Sequence, residues 1–305
     1  MYDVIIIGGG PAGLTSAIYS SRAGLDTLLI EKKFPGGQMA TTSQMENYPG
    51  FKEPISGAEL AMHMEDQAKH FGVKIIYEDV IDTVLDTVTK TIKTSNALYQ
   101  CKAVILCMGA YPRLLGLPGE KRLTGSGVSY CATCDGAFFK NMTVAVVGGG
   151  DTAAEDALYL SRFCSKVYLI HRRDTLRAAK VLQNAMFTNS KVEFIWNSVI
   201  EDIYGKFSVE GLQLRNLRTD EVFDVQVDGL FVAVGNIPST NLVKGKVELN
   251  QWGYIVTDEN MQTNIFGVFA AGDIREKPLR QVITAASDGA TAAYSAERYI
   301  SDNTW

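Results

Sequence analysis

One segment of the chain occurs twice, and this repeat constrains the fold more than any other feature of the sequence. Residues 4–33 read VIIIGGGPAGLTSAIYSSRAGLDTLLIEKK, and residues 144–173 read VAVVGGGDTAAEDALYLSRFCSKVYLIHRR. The two copies align without gaps and are identical at 10 of 30 positions. Each copy has a β-branched strand, a glycine turn, an amphipathic helix and a second apolar strand. This is the pattern of a parallel βαβ unit, so the repeat predicts an α/β fold with two such units.

The glycine turns in both copies follow the G-x-G-x-x-G/A spacing of dinucleotide-binding loops. The motif residues are Gly8, Gly10 and Gly13 in the first copy, and Gly148, Gly150 and Ala153 in the second. An isolated motif of this kind would fit a structural glycine turn equally well. Here both motifs follow a strand and open a helix, whose N-terminal N–H groups favour phosphates. The sequence therefore predicts two Rossmann-like (βαβ, three-layer) dinucleotide-binding domains.

The two copies differ at the end of the second strand, where dinucleotide ligands differ. The first copy ends at Glu31, whose carboxylate suits the ribose hydroxyls of FAD or NAD. The second ends at His171-Arg172-Arg173, with Arg177 one turn further on. Guanidinium groups match phosphate geometry, so the second domain is expected to bind NADPH rather than NADH. The alternative is a solvated basic surface at the end of a strand.

Domain boundaries follow from a second pattern that both halves share. Residues 103–112 and 229–238 each form an apolar strand followed by Gly and then Pro. We expect the chain to cross between domains near 111–114 and 236–241. Residues 1–112 and 239–305 then form an FAD-binding domain, and residues 113–238 form an inserted NADPH-binding domain that carries a C-x-x-C motif.

The overall composition excludes several classes of protein. The net charge of −5 and the pI near 5.4 argue against a nucleic acid as the main partner. The sequence has no apolar run of the roughly 18 residues that a membrane span needs. A strand begins at residue 2, which leaves no pattern of a targeting segment. We therefore expect a cytoplasmic protein.

The C-x-x-C motif is formed by Cys131 and Cys134. This spacing brings two sulfurs within reach of a disulfide when the segment turns. One alternative is half of a zinc site, but such a site needs four ligands, and the remaining Cys and His residues are isolated, so no metal is expected. Another alternative is two unrelated buried cysteines. Cys101, Cys107 and Cys164 lie in apolar patterns and are predicted to pack in the core. 

Asp135 follows the motif directly and is a candidate for moving a proton between the cysteine pair and solvent. The alternative is a turn or helix cap.

The three candidate sites also fit one chemical route. NADPH provides two electrons as hydride, flavin accepts them, and a disulfide needs two electrons to become two thiols.

At these motifs the chain resembles the bacterial-type, low-molecular-weight thioredoxin reductases. The resemblance extends over essentially the whole chain and is carried by GGGPAG (8–13), GGQ (36–38), ENYPG (46–50), CATCDG (131–136), GGGDTAAEDA (148–157), HRRDTLRA (171–178), AAGD (270–273) and RQ (280–281). It implies a homodimeric NADPH-dependent thioredoxin-disulfide reductase whose domains rotate during turnover. Hydride passes from NADPH to FAD and then to the Cys131–Cys134 disulfide, and the dithiol exchanges with oxidised thioredoxin. 

The resemblance also implies roles for individual residues. Cys134 is expected to face the flavin, Cys131 to exchange with the partner disulfide, and Asp135 to act as the general acid. The residues expected to contact FAD are Gly8, Gly10, Pro11, Ala12, Gly13, Glu31, Lys32, Gly36, Gly37, Gln38, Asn47, Gly109, Gly272, Asp273, Arg280, Gln281 and Val282. Those expected to contact NADPH are Gly148, Gly150, Asp151, Thr152, Ala153, His171, Arg172, Arg173 and Arg177.

Related enzymes differ from this pattern in identifiable ways. Peroxiredoxin reductases on the same core carry an extra N-terminal thioredoxin-like domain, for which this chain leaves no room. Ferredoxin–NADP reductases of this fold lack the cysteine pair, and a ferredoxin-dependent relative lacks the second glycine and arginine motifs. A non-catalytic redox sensor that binds flavin and nucleotide is the alternative from another class, and steady NADPH consumption would distinguish the two.

Overall fold

The computed structural model describes residues 1–42 and 44–305. In this part of the chain the strands are β1 (Tyr2–Ile7), β2 (Thr27–Glu31), β3 (Lys74–Tyr77), β4 (Val80–Val84), β5 (Lys90–Thr94), β6 (Leu98–Leu106), β7 (Ala110–Pro112), β8 (Val128–Ser129), β9 (Thr143–Gly148), β10 (Lys166–Ile170), β11 (Val192–Ile195), β12 (Ser198–Tyr204), β13 (Gly211–Asn216), β14 (Val222–Gln226), β15 (Gly229–Ala233), β16 (Asn236–Pro238) and β17 (Val268–Ala270). The α-helices are α1 (Pro11–Arg22), α2 (Gly57–His70), α3 (Pro118–Leu123), α4 (Ala132–Asp135), α5 (Asp151–Leu160), α6 (Lys180–Phe187) and α7 (Val282–Ser301). Short 3-10 helices cover Gly37–Thr41, Gly136–Phe139 and Asn241–Val243.

The chain divides into two compact units. The first unit consists of Met1–Tyr111 and Ile237–Trp305, and the second consists of Pro112–Asn236. The second unit is thus continuous in sequence and interrupts the first. Each unit contains one copy of the repeat, and each copy forms a strand, a helix and a parallel strand.

The first unit is built on a sheet with the strand order β3-β2-β1-β6-β5-β4. Strands β1, β2, β3, β6 and β17 are parallel, whereas β4 and β5 form an antiparallel extension beyond the first half of β6. The predicted βαβ unit is β1-α1-β2. Because parallel strands are covered on both faces, β1 is an apolar run whose last four residues are all buried.

Helices α1 and α7 approach each other closely in this unit. A Cβ at Gly289 would overlap the carbonyl oxygen of Ala12, so only glycine permits the contact. The buried Ser16 hydroxyl lies 2.8 Å from the carbonyl oxygen of Ala12 and 3.0 Å from that of Gly289. This packing brings the N-terminal part of α7 to the helix that follows the first glycine loop.

The second unit contains a five-stranded parallel sheet with the order β11-β10-β9-β15-β8. Its predicted βαβ unit is β9-α5-β10. A three-stranded antiparallel sheet, β12-β13-β14, is added to this core, and the repeat does not predict it. In the turn between β13 and β14, Asp220 adopts a φ of 56°, a conformation that Asp tolerates better than most residues. 

None of the helices in the described part of the chain is both long enough and apolar enough to cross a membrane.

Candidate active site

The two cysteines of the C-x-x-C motif are joined in a disulfide, with their Cα atoms 5.3 Å apart. Cys131 is the N-cap residue of α4, and the N–H groups of Cys134 and Asp135 lie 3.2 and 3.1 Å from its carbonyl oxygen. Both cysteines are partly exposed. The sulfur–sulfur bond confirms the predicted pairing, so the alternatives of a zinc half-site and of two unrelated buried cysteines are wrong. Helix α4 packs against α5, the helix that begins directly after the second glycine loop.

The Asp135 carboxylate is held by a serine that precedes the motif. The Ser129 hydroxyl donates to Oδ2 of Asp135 at 2.6 Å, and the N–H of Cys131 donates to the Ser129 oxygen at 3.1 Å. Burial raises the pKa of Asp135, and the Ser129 hydrogen bond partly opposes this shift. The carboxylate makes no capping hydrogen bond to the 3-10 helix that follows it, which argues against the helix-cap alternative.

The second glycine loop, at the start of α5, is shaped by contacts that require small residues. A Cβ at Gly148 would overlap the carbonyl oxygen of Ala233, and a Cβ at Gly149 would overlap the His171 ring. At Gly150, by contrast, an added Cβ would have no heavy atom within 4 Å. The loop is therefore tightly packed at Gly148 and Gly149 and open at Gly150, the glycine that a pyrophosphate would approach.

The segment after β10 folds back onto this loop. The Arg177 N–H donates to the carbonyl oxygen of Gly149 at 2.7 Å, and the Ala179 N–H donates to Oδ1 of Asp151 at 2.7 Å. Burial lowers the pKa of His171, which favours the neutral ring. The predicted phosphate ligands Arg172, Arg173 and Arg177 are all exposed beside the loop. Thr152 and Ala153 lie in the first turn of α5.

The first glycine loop, in the other unit, has the same division of roles. A Cβ at Gly8, whose φ is +105°, would overlap the carbonyl oxygen of Cys107. A Cβ at Gly13 would overlap the carbonyl oxygen of Gly8, so this glycine sets the close approach of helix and strand. Gly10 again has open space where a Cβ would be. Pro11 is the first residue of α1, where its missing N–H has no cost.

Two neighbouring segments close around this first loop. The Gly9 N–H donates to Oε2 of Glu31 at 2.6 Å, which places the predicted ribose ligand at the loop. The Gly36 N–H donates to the Gly9 carbonyl oxygen at 2.7 Å, and a Cβ at Gly37 would lie 3.5 Å from the Gly10 Cα. Gly36 and Gly37 of the GGQ motif therefore lie directly on the glycine loop.

Distant predicted residues also meet in the first unit. The Asn47 side-chain amide donates to the Gln281 side chain at 3.1 Å across 234 positions of sequence. Gly272 has a φ of +82°, and a Cβ there would lie 2.8 Å from that of Ala12. The fold therefore brings the ENYPG motif to the RQ motif, and the AAGD motif to the start of α1. Val282 is the first residue of α7.

Four buried polar atoms of the same unit have no hydrogen-bond partner among the described residues: Oγ of Ser20, Nδ2 of Asn250, Oδ1 of Asp273 and Nε of Arg280. The last two belong to the AAGD and RQ motifs. The Arg280 guanidinium lies 4.2 Å from the centre of the Tyr254 ring. Burial raises the pKa of Asp273. Buried polar groups are almost always paired, so these two atoms indicate a polar ligand that would complete their hydrogen bonding.

Other predicted residues of the first unit are placed differently. Lys32 is exposed and forms a 2.7 Å ion pair with Asp79. Gln38 is exposed in the 3-10 helix that begins at Gly37. Gly109 follows β6 with a φ of +67°, and its carbonyl oxygen accepts from the Ser239 N–H at 2.9 Å. The structure gives these three no direct link to the glycine loop, and their role in FAD binding stays a prediction.

Sequence reasoning missed several buried polar residues that support these sites. Ser129 is one, and Asp288 is another, because its carboxylate accepts from the Gly272 N–H at 3.0 Å and from Lys277 at 2.7 Å. A third is Glu120, which accepts from two backbone N–H groups and from Tyr130. Only Ser129 carried a signal, since it lies two residues before Cys131. The free cysteines Cys101, Cys107 and Cys164 are buried, which confirms their predicted place in the core.

Comparison with known proteins identifies the family of this chain. Residues 2–289 match the family model described as pyridine nucleotide-disulphide oxidoreductase. A thioredoxin reductase of Peptoclostridium acidaminophilum is 51% identical over 99% of this chain and 98% of its own length. A thioredoxin reductase of Bacillus subtilis is 48% identical over 99% of this chain and 96% of its own. 

The crystal structure of thioredoxin reductase from Streptococcus pyogenes, 46% identical, has a TM-score of 0.94 and covers 99% of both chains. The family model spans nearly the whole chain, and these relatives align along almost all of their length. This chain therefore belongs to the pyridine nucleotide-disulphide oxidoreductase family.

Proposed function

We propose that this protein is an NADPH-dependent thioredoxin reductase. The observation that carries the proposal is the partly exposed Cys131–Cys134 disulfide in a unit that also holds a dinucleotide loop. Family membership implies a flavin and a nicotinamide dinucleotide. A partly exposed disulfide beside an acid is suited to exchange with a protein disulfide. The relatives named thioredoxin reductase support thioredoxin as that partner.

The first unit fits FAD. Its glycine loop is open at Gly10, and the Glu31 carboxylate beside the loop supports an interaction with ribose hydroxyls. The unpaired atoms of Asp273 and Arg280 support a polar cofactor at the same unit. We assign Asn47 and Gln281, which hydrogen bond to each other, to the same cofactor. The domain assignment follows: residues 1–112 and 239–305 bind FAD.

The second unit fits NADPH. Gly150 leaves space for a pyrophosphate at the N-terminus of α5, where backbone N–H groups favour anions. Arg172, Arg173 and Arg177 supply positive charge beside that loop, which suits a 2′-phosphate. In the part of the chain that the structure describes, none of these three forms a salt bridge to a carboxylate. We therefore assign residues 113–238 to NADPH binding.

When bound, the nicotinamide and flavin supply the two-electron chemistry that reduces a disulfide. The protein supplies the cysteines and the proton. We assign Cys134 to the flavin side and Cys131 to exchange with thioredoxin. The Cys131 thiolate attacks one sulfur of the thioredoxin disulfide, a mixed disulfide forms, and Cys134 then displaces the reduced thioredoxin. Asp135, whose pKa is raised by burial, holds a proton to higher pH than an ordinary aspartate and serves as the acid.

A steady-state assay tests this proposal. The purified FAD-loaded protein is mixed with NADPH and oxidised thioredoxin, and NADPH oxidation is followed by absorbance. We expect continuous turnover in wild type, and loss of at least 1000-fold in Cys134→Ser, because the sulfur pair acts as a unit. Cys164→Ser, a buried cysteine in the same unit, is the matched control and should retain activity. A wild type that consumes at most one NADPH per flavin would instead indicate a sensor.

We further propose a homodimer in the cytoplasm. The exposed apolar side chains Tyr19 of α1 and Tyr294 of α7, 51% and 61% exposed, support an association surface on the first unit. Light scattering of the purified protein is expected to give a mass near 67 kDa, twice the 33.3 kDa of the chain. A mass near 33 kDa at micromolar concentration would contradict the dimer.

A further inference from the structure

We propose that Ser129 is a positioning residue that joins Asp135 and the backbone of Cys131 into one hydrogen-bonded unit. The inference rests on the proposed function, in which Asp135 serves the cysteine pair. It adds a residue outside the C-x-x-C motif to the machinery of proton transfer. Ser129 acts through Asp135 and is not itself in the reacting group.

The geometry around Ser129 is specific. A serine hydroxyl has one proton to donate and two lone pairs to accept with. The 2.6 Å distance to Oδ2 of Asp135 is in the range of charge-assisted O–H···O⁻ bonds, whereas the Cys131 carbonyl oxygen lies 3.4 Å away. The proton is therefore donated to Asp135. The lone pairs remain free to accept from the Cys131 N–H at 3.1 Å.

Strand β8 holds this hydroxyl in a fixed place. Ser129 is buried, and its backbone pairs with that of Phe231 in β15, at the edge of the parallel sheet. Its position is thus set by the sheet rather than by the short α4 turn. The serine connects a rigid element to the redox-active turn, and it fixes the direction in which the Asp135 carboxylate points.

The chemistry gives this connection a purpose. Converting the Cys131–Cys134 disulfide to two thiols takes two electrons and two protons. Hydride from NADPH supplies both electrons and one proton, so one more proton must come through the protein. Asp135 can deliver it and then be reprotonated from solvent. In the later exchange, the Cys131 sulfur must lose its proton before it attacks, and the departing thioredoxin sulfur must gain one.

Ser129 and burial act on Asp135 in opposite directions. Burial raises the pKa of Asp135, and the hydrogen bond from Ser129 stabilises its charged form. The ionisable groups on α5, the helix packed against α4, are Asp151, Glu155, Asp156 and Tyr159. None of them contributes to the Asp135 shift, and β15 and the 3-10 helix Gly136–Phe139 carry no ionisable side chain. Ser129 is thus the polar group that opposes the effect of burial on the pKa of Asp135.

Removing the hydroxyl therefore has a defined direction. In Ser129→Ala the charged form of Asp135 loses a hydrogen bond, so its pKa rises further above the ordinary value. We expect the pH profile of kcat/KM for oxidised thioredoxin to have a limb that reports the ionisation of Asp135. We expect this limb to move up by about one pH unit in Ser129→Ala. We also expect kcat/KM to fall about tenfold at pH 7, because the carboxylate is no longer aimed.

Further variants separate this role from a merely structural one. Ser129→Thr keeps the hydroxyl and should restore the wild-type limb. Asp135→Asn should abolish the limb, and adding Ser129→Ala to it should change nothing more. Ser161→Ala is the matched control, since it removes another buried hydroxyl of the same unit, one that lies 2.8 Å from the Leu158 carbonyl oxygen, and should leave the limb in place.

A second readout does not depend on turnover. The dithiothreitol-reduced protein is alkylated with iodoacetamide from pH 5 to 9, and the rates at Cys131 and Cys134 are followed by mass spectrometry. The inflection that reports Asp135 should shift upward in Ser129→Ala and disappear in Asp135→Asn. An unchanged inflection in Ser129→Ala would overturn the role of Ser129. If wild type failed to reduce thioredoxin, the proposed function would fall, while the alkylation profile would still decide the role of Ser129.

Discussion

At the scale of single residues, two glycines of the first loop have opposite reasons to be glycine. Gly13 is required by the fold, because a Cβ there would overlap the Gly8 carbonyl oxygen. Gly10 is not, because an added Cβ would meet nothing within 4 Å and its φ of −73° suits any residue. The open space at Gly10 is explained by a ligand that approaches the backbone.

The two alanine variants should therefore separate folding from binding. Gly13→Ala is expected to lower the free energy of unfolding by about 2 kcal/mol or more, because the helix must move away from the strand. Gly10→Ala should stay within about 0.5 kcal/mol of wild type but bind FAD about tenfold more weakly. Urea unfolding of the apoprotein and FAD fluorescence titration measure the two quantities. Wild-type FAD affinity in Gly10→Ala would contradict the placement of the pyrophosphate.

The sequence could predict the residues whose roles follow from spacing, such as Gly8, Glu31 and Cys134. It could not predict residues whose roles depend on the folded path of the chain. Asp288 supports the turn at Gly272 from a helix 16 positions away. Ser129 is near Cys131 in sequence, but its partner Asp135 returns to it only because α4 makes a single turn. 

At the scale of elements, a buried carboxylate joins α3 to the residue that directly precedes the redox motif. Glu120 in α3 accepts from the N–H groups of Leu115 and Gly116 at 2.9 and 2.8 Å and from the Tyr130 hydroxyl at 3.0 Å. Burial raises the pKa of Tyr130 to about 12, so this hydroxyl remains a donor at neutral pH. The carboxylate satisfies three donors at once.

Glu120→Ala should therefore destabilise the second unit by about 2–4 kcal/mol, because buried N–H groups lose their acceptor. The stability of Glu120→Gln should lie between those of wild type and Glu120→Ala, since an amide oxygen can replace only part of the acceptor capacity of the carboxylate. Urea unfolding followed by tryptophan fluorescence measures the change, and exposed Glu221→Ala is the control. An unfolding midpoint of Glu120→Ala equal to that of wild type would show that water replaces the lost acceptor.

Helix α5 carries an aspartate whose surroundings disfavour its ionised form. Burial, with repulsion from Glu155 adding to it, raises the pKa of Asp156 from 3.8 to about 7. Between pH 3.8 and about pH 7, Asp156 therefore keeps its proton in the folded protein and releases it in the unfolded chain. The contribution of Asp156 to stability therefore falls as pH rises through this window.

Asp156→Asn removes that penalty. We expect the variant to be more stable than wild type by about 1 kcal/mol at pH 8, after allowance for partial exposure, and to lose this advantage toward pH 4. Melting temperatures of both proteins across this pH range measure the difference. An advantage that is equal at pH 4 and pH 8 would contradict the assignment to ionisation of Asp156.

Some secondary-structure elements could be predicted from sequence patterns, and others could not. The two βαβ units were predictable because apolar strands, glycine turns and a helix recur in the same order. The antiparallel sheet β12-β13-β14 was not, because polar residues interrupt its strands and no repeated motif marks them. Its register depends on a bulge between Ile200 and Asp202, which no residue pattern marks.

At the scale of the whole molecule, the proposed function requires two dinucleotide sites with different ligand preferences. Neutralising Arg172 and Arg173 together should raise the Kd of NADPH about 100-fold, about 2.7 kcal/mol, while changing that of NADH less than threefold. Isothermal titration of the FAD-loaded protein measures both, and exposed Arg162→Ala is the control. Equal weakening of both nucleotides would contradict the assignment of these arginines to the 2′-phosphate.

A thioredoxin reductase must pass two electrons from NADPH to one pair of sulfurs. To follow this transfer, the FAD-loaded protein is alkylated anaerobically, with and without NADPH, and the modified cysteines are located by mass spectrometry. We predict that NADPH makes Cys131 and Cys134 reactive together, while the buried Cys101, Cys107 and Cys164 remain protected. A protein whose Cys131–Cys134 disulfide survives excess NADPH would contradict this prediction.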